Sequence, residues 1–333
     1  MSHSRLTLGV LALAIGSTTL DAQGVSARCP AGGPLSQQTF VQDACQKTVD
    51  VFDFLAPQLG VLMAGGNAVL GQGSALGGPG RFSVGVRANL LRARVPRVDR
   101  IMPSTTGATS SDYEVDERVA PMPIVDLAIG VFGGFPLGAT NVLALDGLVS
   151  ASYLPDFSSG DVEVAVRGGP LRLGFGARVG LLQESIITPG ISFTYLRRDL
   201  PLVDIAATSG NDELAVRELA VKTDAWRVVA GKNLAIFSLA AGVGQDHYRS
   251  DAAVIASVNR PGLAATTGPI EVRQRMTRTN YFADLSLNLP LMRVVGEIGR
   301  VSGGSVAPTF NTFSGREPDD ALTYGSLGLR FGF

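Results

Sequence analysis

The sequence predicts an all-β chain: a transmembrane antiparallel β-barrel of about 10–12 strands, with up to 14 possible, behind a short helical and glycine-rich plug segment. Three observations predict it. The chain opens on an export signal, the remainder alternates apolar and polar residues with period two, and the connections alternate between short and long. The 333 residues are 45% hydrophobic and only 17% charged, with 28 basic and 29 acidic side chains and a net charge of -1. That balance does not suit a disordered chain and offers no electrostatic footprint for nucleic acid, so no nucleic-acid partner is expected. Forty-one glycines without a three-residue period exclude collagen. Two cysteines are too few for a Cys-based zinc site, and neither a metal nor a cofactor is expected.

The first element, 1–22, reads as a signal peptide. Arg5 precedes the apolar run Leu6 to Ile15, and Leu20-Asp21-Ala22 ends in a small residue suited to cleavage. The run is shorter than the roughly 20 residues of a spanning helix. Export into an oxidising compartment makes a disulfide between Cys29 and Cys45 the default reading, with two buried free thiols the alternative.

The second element, 23–80, reads as an N-terminal plug or periplasmic segment. Thr39 and Gln42 have capping-box spacing, and Phe40, Val41, Ala44, Cys45, Thr48, Val49, Phe52 and Leu55 recur at helical intervals until Pro57, where the helix is expected to end. A glycine-rich run from Gly65 to Gly80 follows. It has no Gly-Lys-Ser/Thr and no flanking βαβ pattern, so it is not a phosphate loop.

The third element, 81–333, carries the alternation. Leu171, Leu173, Phe175, Ala177, Val179 and Leu181 face Arg172, Gly174, Gly176, Arg178 and Gly180 across the strand. Phe82 to Leu90 and Tyr281 to Leu289 repeat the pattern, with Phe282 the one misfit, and 226–230 is ambiguous. Two-faced strands also build soluble sandwiches, with the apolar face inward. Here the strands are long enough to cross a bilayer at a tilt, about 9–11 residues. Their polar faces hold glycine, serine and asparagine, which suits a crowded lumen. The long connections 97–122, 155–170, 199–213, 250–271 and 303–320 alternate with the short ones 134–141, 183–186, 232–234 and 290–291, as extracellular loops do with periplasmic turns. This counts ten strands: 81–96, 123–133, 142–154, 171–182, 187–198, 214–231, 235–249, 272–289, 292–302 and 321–333. Residues 58–70 would add a strand pair to make twelve, and 161–167 or 251–257 would be hairpin arms. Phe82, Phe237, Phe331 and Phe333 fall at the periplasmic end of the lipid face and Tyr153 and Tyr195 at the outer end, like two interfacial girdles.

The chain stops at Leu327, Leu329, Phe331 and Phe333 in alternation, with Tyr324 further up the row. Here it resembles bacterial outer-membrane β-barrel proteins, whose last strand ends in an aromatic residue. The resemblance implies a Gram-negative-type outer membrane, contact with its lipids, and recognition of the terminal strand by the barrel-assembly machinery. The helix and small-residue tail ahead of the first strand resemble the N-terminal hatch of outer-membrane fatty-acid and hydrocarbon transporters, with Asn67-Ala68 loosely similar to the Asn-Pro-Ala element of that hatch. Those barrels have fourteen strands where ten to twelve are counted here, so no substrate is carried over.

The inward face is where function is expected. Arg87, Asp126, Asp146, Arg172, Arg178, Asp284, Arg293, Glu297 and Arg330 are its candidate lumen-lining residues. They read either as ion pairs filling a closed barrel or as a charged constriction. A hydrolase would have to use His247, the one histidine left after signal cleavage, but alternation turns His247 outward and Asp246 inward. Glu317, Asp319 and Asp320 read as solvated loop carboxylates rather than a calcium site. The expected function is a narrow or plugged, porin-like channel or transporter for an unknown small or apolar solute. The alternative is a closed structural or surface-interaction barrel; catalysis is not expected.

Overall fold

In the computed structural model, residues 25–29, 37–100, 102–159 and 162–332 are described. The expected signal peptide and Phe333 lie outside them. The apolar alternation becomes ten antiparallel strands that close on themselves: β1 (Phe82–Pro96), β2 (Val115–Phe132), β3 (Ala144–Tyr153), β4 (Leu171–Leu182), β5 (Gly190–Asp199), β6 (Asp212–Leu234), β7 (Phe237–Arg260), β8 (Ile270–Asn288), β9 (Arg293–Ser302) and β10 (Leu322–Gly332). The ring shuts where β10 pairs with β1, from Ser83 opposite Gly332 to Leu91 opposite Tyr324. Closure leaves no unpaired edge through the wall, which a bilayer demands.

The twelve-strand alternative is not realised. Residues 58–70 contribute no strand, because 58–64 continue a helix. Residues 251–257 are the upper part of β7, and Val162–Arg167 pairs with Leu202–Ser209 in an outer extension of the sheet. The wall is therefore uneven. On one side β6, β7 and β8 run 23, 24 and 19 residues and rise beyond the membrane; on the other β3, β4 and β5 stop at 10, 12 and 10.

Alternation also sets what each face meets. Outward residues such as Leu173, Phe175, Leu285, Ile298 and Leu327 form an apolar belt and are 51–64% exposed. Phe82, Phe237, Tyr153 and Tyr195 are likewise exposed, the phenylalanines at the short-turn end and the tyrosines at the other. A belt this continuous is tolerable only if lipid covers it. Phe282, the apolar misfit of the polar row, points inward as its parity requires, and fits because Gly242 on the neighbouring strand has no side chain: a Cβ there would lie 2.3 Å from its ring. One residue corrects the expected faces. Tyr324 is also inward, 3% exposed, over Gly299 rather than in the lipid row of Leu327 and Leu329.

The single described α-helix, α1 (Gln37–Ala64), lies inside the barrel. Its apolar positions recur on the face turned to the wall. Near the outer end Val41 and Ala44 pack on Leu214, Ala256, Val258 and Ala265 of the tall side. Residues 25–29 sit at the same end: Cys29 is joined to Cys45, and Arg28 donates to the carbonyl of Glu271. From there the chain descends through the lumen and leaves at the periplasmic rim to begin β1. Pro57 does not end the helix, contrary to expectation. A proline normally breaks a helix because it leaves the carbonyl four residues back without its donor. Here that carbonyl belongs to Asp53, and Gln274 Nε2 of β8 donates to it at 2.8 Å. The wall replaces the missing bond.

Candidate functional site: a plugged lumen beneath an apolar vestibule

At Gly65 the backbone turns left-handed, with φ of 57°, and α1 stops. The last carbonyls of a helix lack internal partners and carry partial negative charge. Each is met by a donor from a different strand. Asn89 Nδ2 donates to Leu62 O at 3.0 Å, Arg198 Nη1 to Ala64 O at 2.7 Å, and Arg227 Nη2 and Asn280 Nδ2 to Gly65 O at 3.0 and 2.9 Å. Asp246 accepts from Tyr248 and Asn280 and pairs with Arg227 at 2.5 Å, and Asp126 pairs with both Arg87 and Arg198. These groups are buried, and Arg198 also donates a hydrogen bond to Asp126 at 3.1 Å.

Below this layer the glycine-rich segment is gripped at Asn67. Its amide donates to Glu297 at 2.8 Å, its side chain to Asp284 at 2.7 Å, and its carbonyl accepts from Arg87 at 2.8 Å. Gly71 N donates to Asp284, Arg330 donates to Leu70 O and Gln72 Oε1, and Leu76 N donates to Asp146, which is itself held by Arg178 at 2.8 Å. Gly73 and Gly231 must both be glycine, because a Cβ on Gly73 would lie 2.2 Å from the Gly231 nitrogen.

Of the nine sequence candidates, Arg87, Asp126, Asp146, Arg178, Asp284, Glu297 and Arg330 are thus buried in the lumen and engaged with segment 65–76 or with one another. Arg293 is half-buried at the periplasmic mouth, beside a cavity of about 340 Å³ that it lines with Gln72, Arg81 and Arg330. Arg172 does not line the lumen. It sits at the outer end of β4 and donates to Gly168 O and Leu171 O of its own loop. Arg198, Arg227, Asn89 and Asn280 were not singled out from sequence, although strand parity places them on the lumen face; Arg227 falls in the ambiguous stretch 226–230.

Above the layer the surroundings become apolar. A cavity of about 410 Å³ lies between α1 and the inner faces of β1 and β2, lined by Leu59, Leu62, Leu91, Ala93, Val164 and Ile205 among others. The outer loops close over the upper part of α1. Phe313 stacks on Phe54 and Tyr113 at 4.2 and 5.3 Å, Asp50 accepts two bonds from Asn311, and Asp43 accepts from Ser104 and Thr109 while pairing with Lys47. Burial raises the carboxyl of Asp50, and burial followed by repulsion from Asp50 raises that of Asp53 to about 7.

His247 is on the outer face, 2.8 Å from Thr277, and the wall separates it from Asp246. Asp320 pairs with Arg94 at 2.8 Å, and no cluster of metal-ligating side chains occurs among the described residues.

A closed ten-stranded antiparallel barrel with an apolar outer belt, short turns at one end and long loops at the other has the architecture of the outer-membrane β-barrels. The outer membrane is where such a belt is covered. No family model and no curated protein matches the sequence. Among solved structures, the chain is similar to OmpT, an outer membrane protein of Vibrio cholerae, at 12% identity over 76% of this chain and 96% of that one, with a TM-score of 0.20. The beta domain of the Bordetella autotransporter BrkA matches at 10% over 76% and 99%, with a TM-score of 0.27. The Pseudomonas putida toluene transporter TodX matches at 8% over 80% and 96%, with a TM-score of 0.29. At these scores the likenesses carry no argument; the barrel rests on its closed ring and outer belt.

Proposed function

We propose that this protein is an outer-membrane conduit for a small apolar solute, shut at rest by its own segment 65–80. The observation that carries the reading is the division of the lumen. An apolar cavity on the outer side and a polar one at the periplasmic mouth are separated by the clamped stretch around Asn67. Ten strands leave space for a peptide segment, whereas open aqueous porins use about 16–18 strands. Passage therefore requires 65–80 to move while the wall stays closed.

Planar-bilayer recordings test this. The wild-type barrel should not conduct, and Asn67→Ala combined with Arg330→Gln should open measurable events by removing three of the hydrogen bonds that tie the segment to the wall. A folded double variant that stays silent would favour the closed surface-interaction barrel, a reading supported by the tight capping of α1 by the outer loops.

The terminal strand is proposed as the signal read by the barrel-assembly machinery. Leu327 and Leu329 stand in the outward row, with Phe331 half-buried beside them, on the strand that closes the ring. Phe333→Asp should lower the folded protein in the outer membrane more than Phe333→Ala, leaving signal cleavage intact. Burying a phenylalanine side chain is worth about 1.5–3 kcal/mol, and a carboxylate at the bilayer edge costs about 0–1 kcal/mol. Normal membrane levels of the Asp variant would make the terminal aromatic incidental.

A further inference from the structure

We propose that the cavity at the periplasmic mouth is a binding site for a phosphate monoester, held by Arg81, Ser83, Arg293 and Arg330. The site does not depend on the conduit reading. It stands on uncompensated charge and on one buried hydroxyl.

The charge is set by strand register. Arg293 of β9 and Arg330 of β10 stand directly opposite each other. Like charges so placed destabilise a sheet unless something neutralises them. Arg330, only 5% exposed, spends Nη1 on Leu70 O and Gln72 Oε1, both uncharged acceptors. Arg293 shares a second, smaller cavity with Glu184, but Glu184 accepts from Asn233 N at 2.6 Å and pairs with Lys232 at 3.9 Å. Deeper in the lumen, Asp284 accepts from Asn67 and Gly71, and Asp146 accepts from Leu76 and pairs with Arg178. Arg81, exposed at the entry to β1, adds a third guanidinium, and none of the described residues that line this cavity is acidic.

The hydroxyl belongs to Ser83 of β1. It is 3% exposed and borders the cavity, and its Oγ has no hydrogen-bond partner among the described residues. Its cross-strand neighbour is Gly332, where a Cβ would meet nothing within 4 Å, so β10 leaves open space beside it. A buried hydroxyl left unpaired costs free energy, and so do cations crowded without a counter-charge. One anion with several oxygens relieves both. Guanidinium forks match carboxylate and phosphate alike, but three of them favour the group with the most charge. A phosphate monoester carries about -1.5 to -2 and three acceptor oxygens. At about 340 Å³ the space is at the small end of ligand pockets, which run roughly 300–1,000 Å³. The organic part is therefore compact, or lies outside along the exposed Leu291 of the rim turn. Gln72 of the plug segment borders the same cavity, so a bound anion sits across the joint between plug and wall.

Equilibrium dialysis of the barrel in dodecyl maltoside against radiolabelled phenyl phosphate tests the site, at low salt and at a mildly alkaline pH where the ester is a dianion. Wild type should bind the label saturably. Arg293→Gln should weaken binding about tenfold, the size of one hydrogen bond to a charged group, and the exposed Arg81→Gln roughly threefold. Arg172→Gln, at the outer end of β4, should behave as wild type. Two measurements need no variant. Unlabelled phenyl phosphate should displace the label about tenfold better than phenyl sulfate, its monoanionic isostere. It should also slow amide hydrogen exchange over 71–80. In nanodiscs, displacement by phosphatidic acid beyond that by phosphatidylglycerol at matched surface charge would assign the phosphate to a lipid headgroup. Equal displacement by the two lipids would assign it to a free organic phosphate; both results keep the site. Unweakened binding by Arg293→Gln and Arg81→Gln, equal displacement by phenyl sulfate, or unchanged exchange over 71–80 would overturn it.

Discussion

The lumen below Gly65 and the vestibule above it hold the same N-terminal segment in opposite ways. Below, charged and amide side chains from the wall grip its backbone: Arg198, Arg227 and Asn280 on the helix end, Asp284, Glu297 and Arg87 on Asn67. Above, Val41, Ala44 and Phe54 meet apolar side chains, and the packing leaves a cavity. The difference follows from what each stretch offers. A helix interior has satisfied its backbone and can present only side chains, whereas a helix end and a glycine-rich strand-free segment present bare amides and carbonyls. The polar region fixes register; the apolar one leaves room.

The largest expected effect is in the polar half. Arg227→Leu removes the partner of a fully buried Asp246 and a donor to Gly65, and should cost about 3–5 kcal/mol, seen as a lower unfolding midpoint of the purified barrel. A change under about 1 kcal/mol would mean the layer is wetter than its burial implies.

Next comes the tether at the outer end. Replacing Cys29 and Cys45 by Ser opens a loop with a sequence separation of 16 residues, worth about 3 kcal/mol in the chain-entropy account. The loss should fall on 25–64 alone: protease should cut near the top of α1 while the barrel stays intact. Simultaneous loss of the barrel would show that the two halves unfold together.

A smaller effect should depend on pH. Asp53 holds its proton up to about pH 7, against roughly 3.9 in an unfolded chain. Between those values the folded state binds a proton that the unfolded state has released, so stability should fall as pH rises through that window. Asp53→Asn should flatten the dependence between pH 4 and 8. An unchanged profile would assign the slope to other groups.

The last prediction should leave stability untouched. An epitope inserted between Gly24 and Val25 should bind antibody on intact cells, because residues 25–29 lie at the outer mouth beside Glu271. Detection only after permeabilisation would reverse the direction in which the segment threads the barrel.

Most of the wall was legible because period two leaves no ambiguity when one face is lipid and the other is filled. β1, β4 and β10 fall within a residue or two of their expected bounds. The overhangs of β6 to β8 were only half legible: above the membrane both faces meet water or protein, so the lipid row gives way to residues such as His247, Arg249 and Asp251. Tyr324 misled because it fills the space over Gly299 on the next strand, a space visible only once register is known. Pro57 misled because its compensating donor, Gln274, is 217 positions away in sequence.

What the sequence by itself determined is the wall: which segments are strands, which face of each meets lipid, and which ends carry short turns. Those are local properties, repeated every second residue, and the bilayer enforces them on each strand separately. The tertiary structure alone decided that α1 runs through Pro57, that the segment threads the lumen from outside, and that seven of the nine candidate charges are spent on that segment or on one another. Each of those is a pairing between one backbone group and one distant side chain. No periodicity encodes such a pairing; only closure of the ring, which sets strands from both ends of the chain side by side, brings its partners within 3 Å.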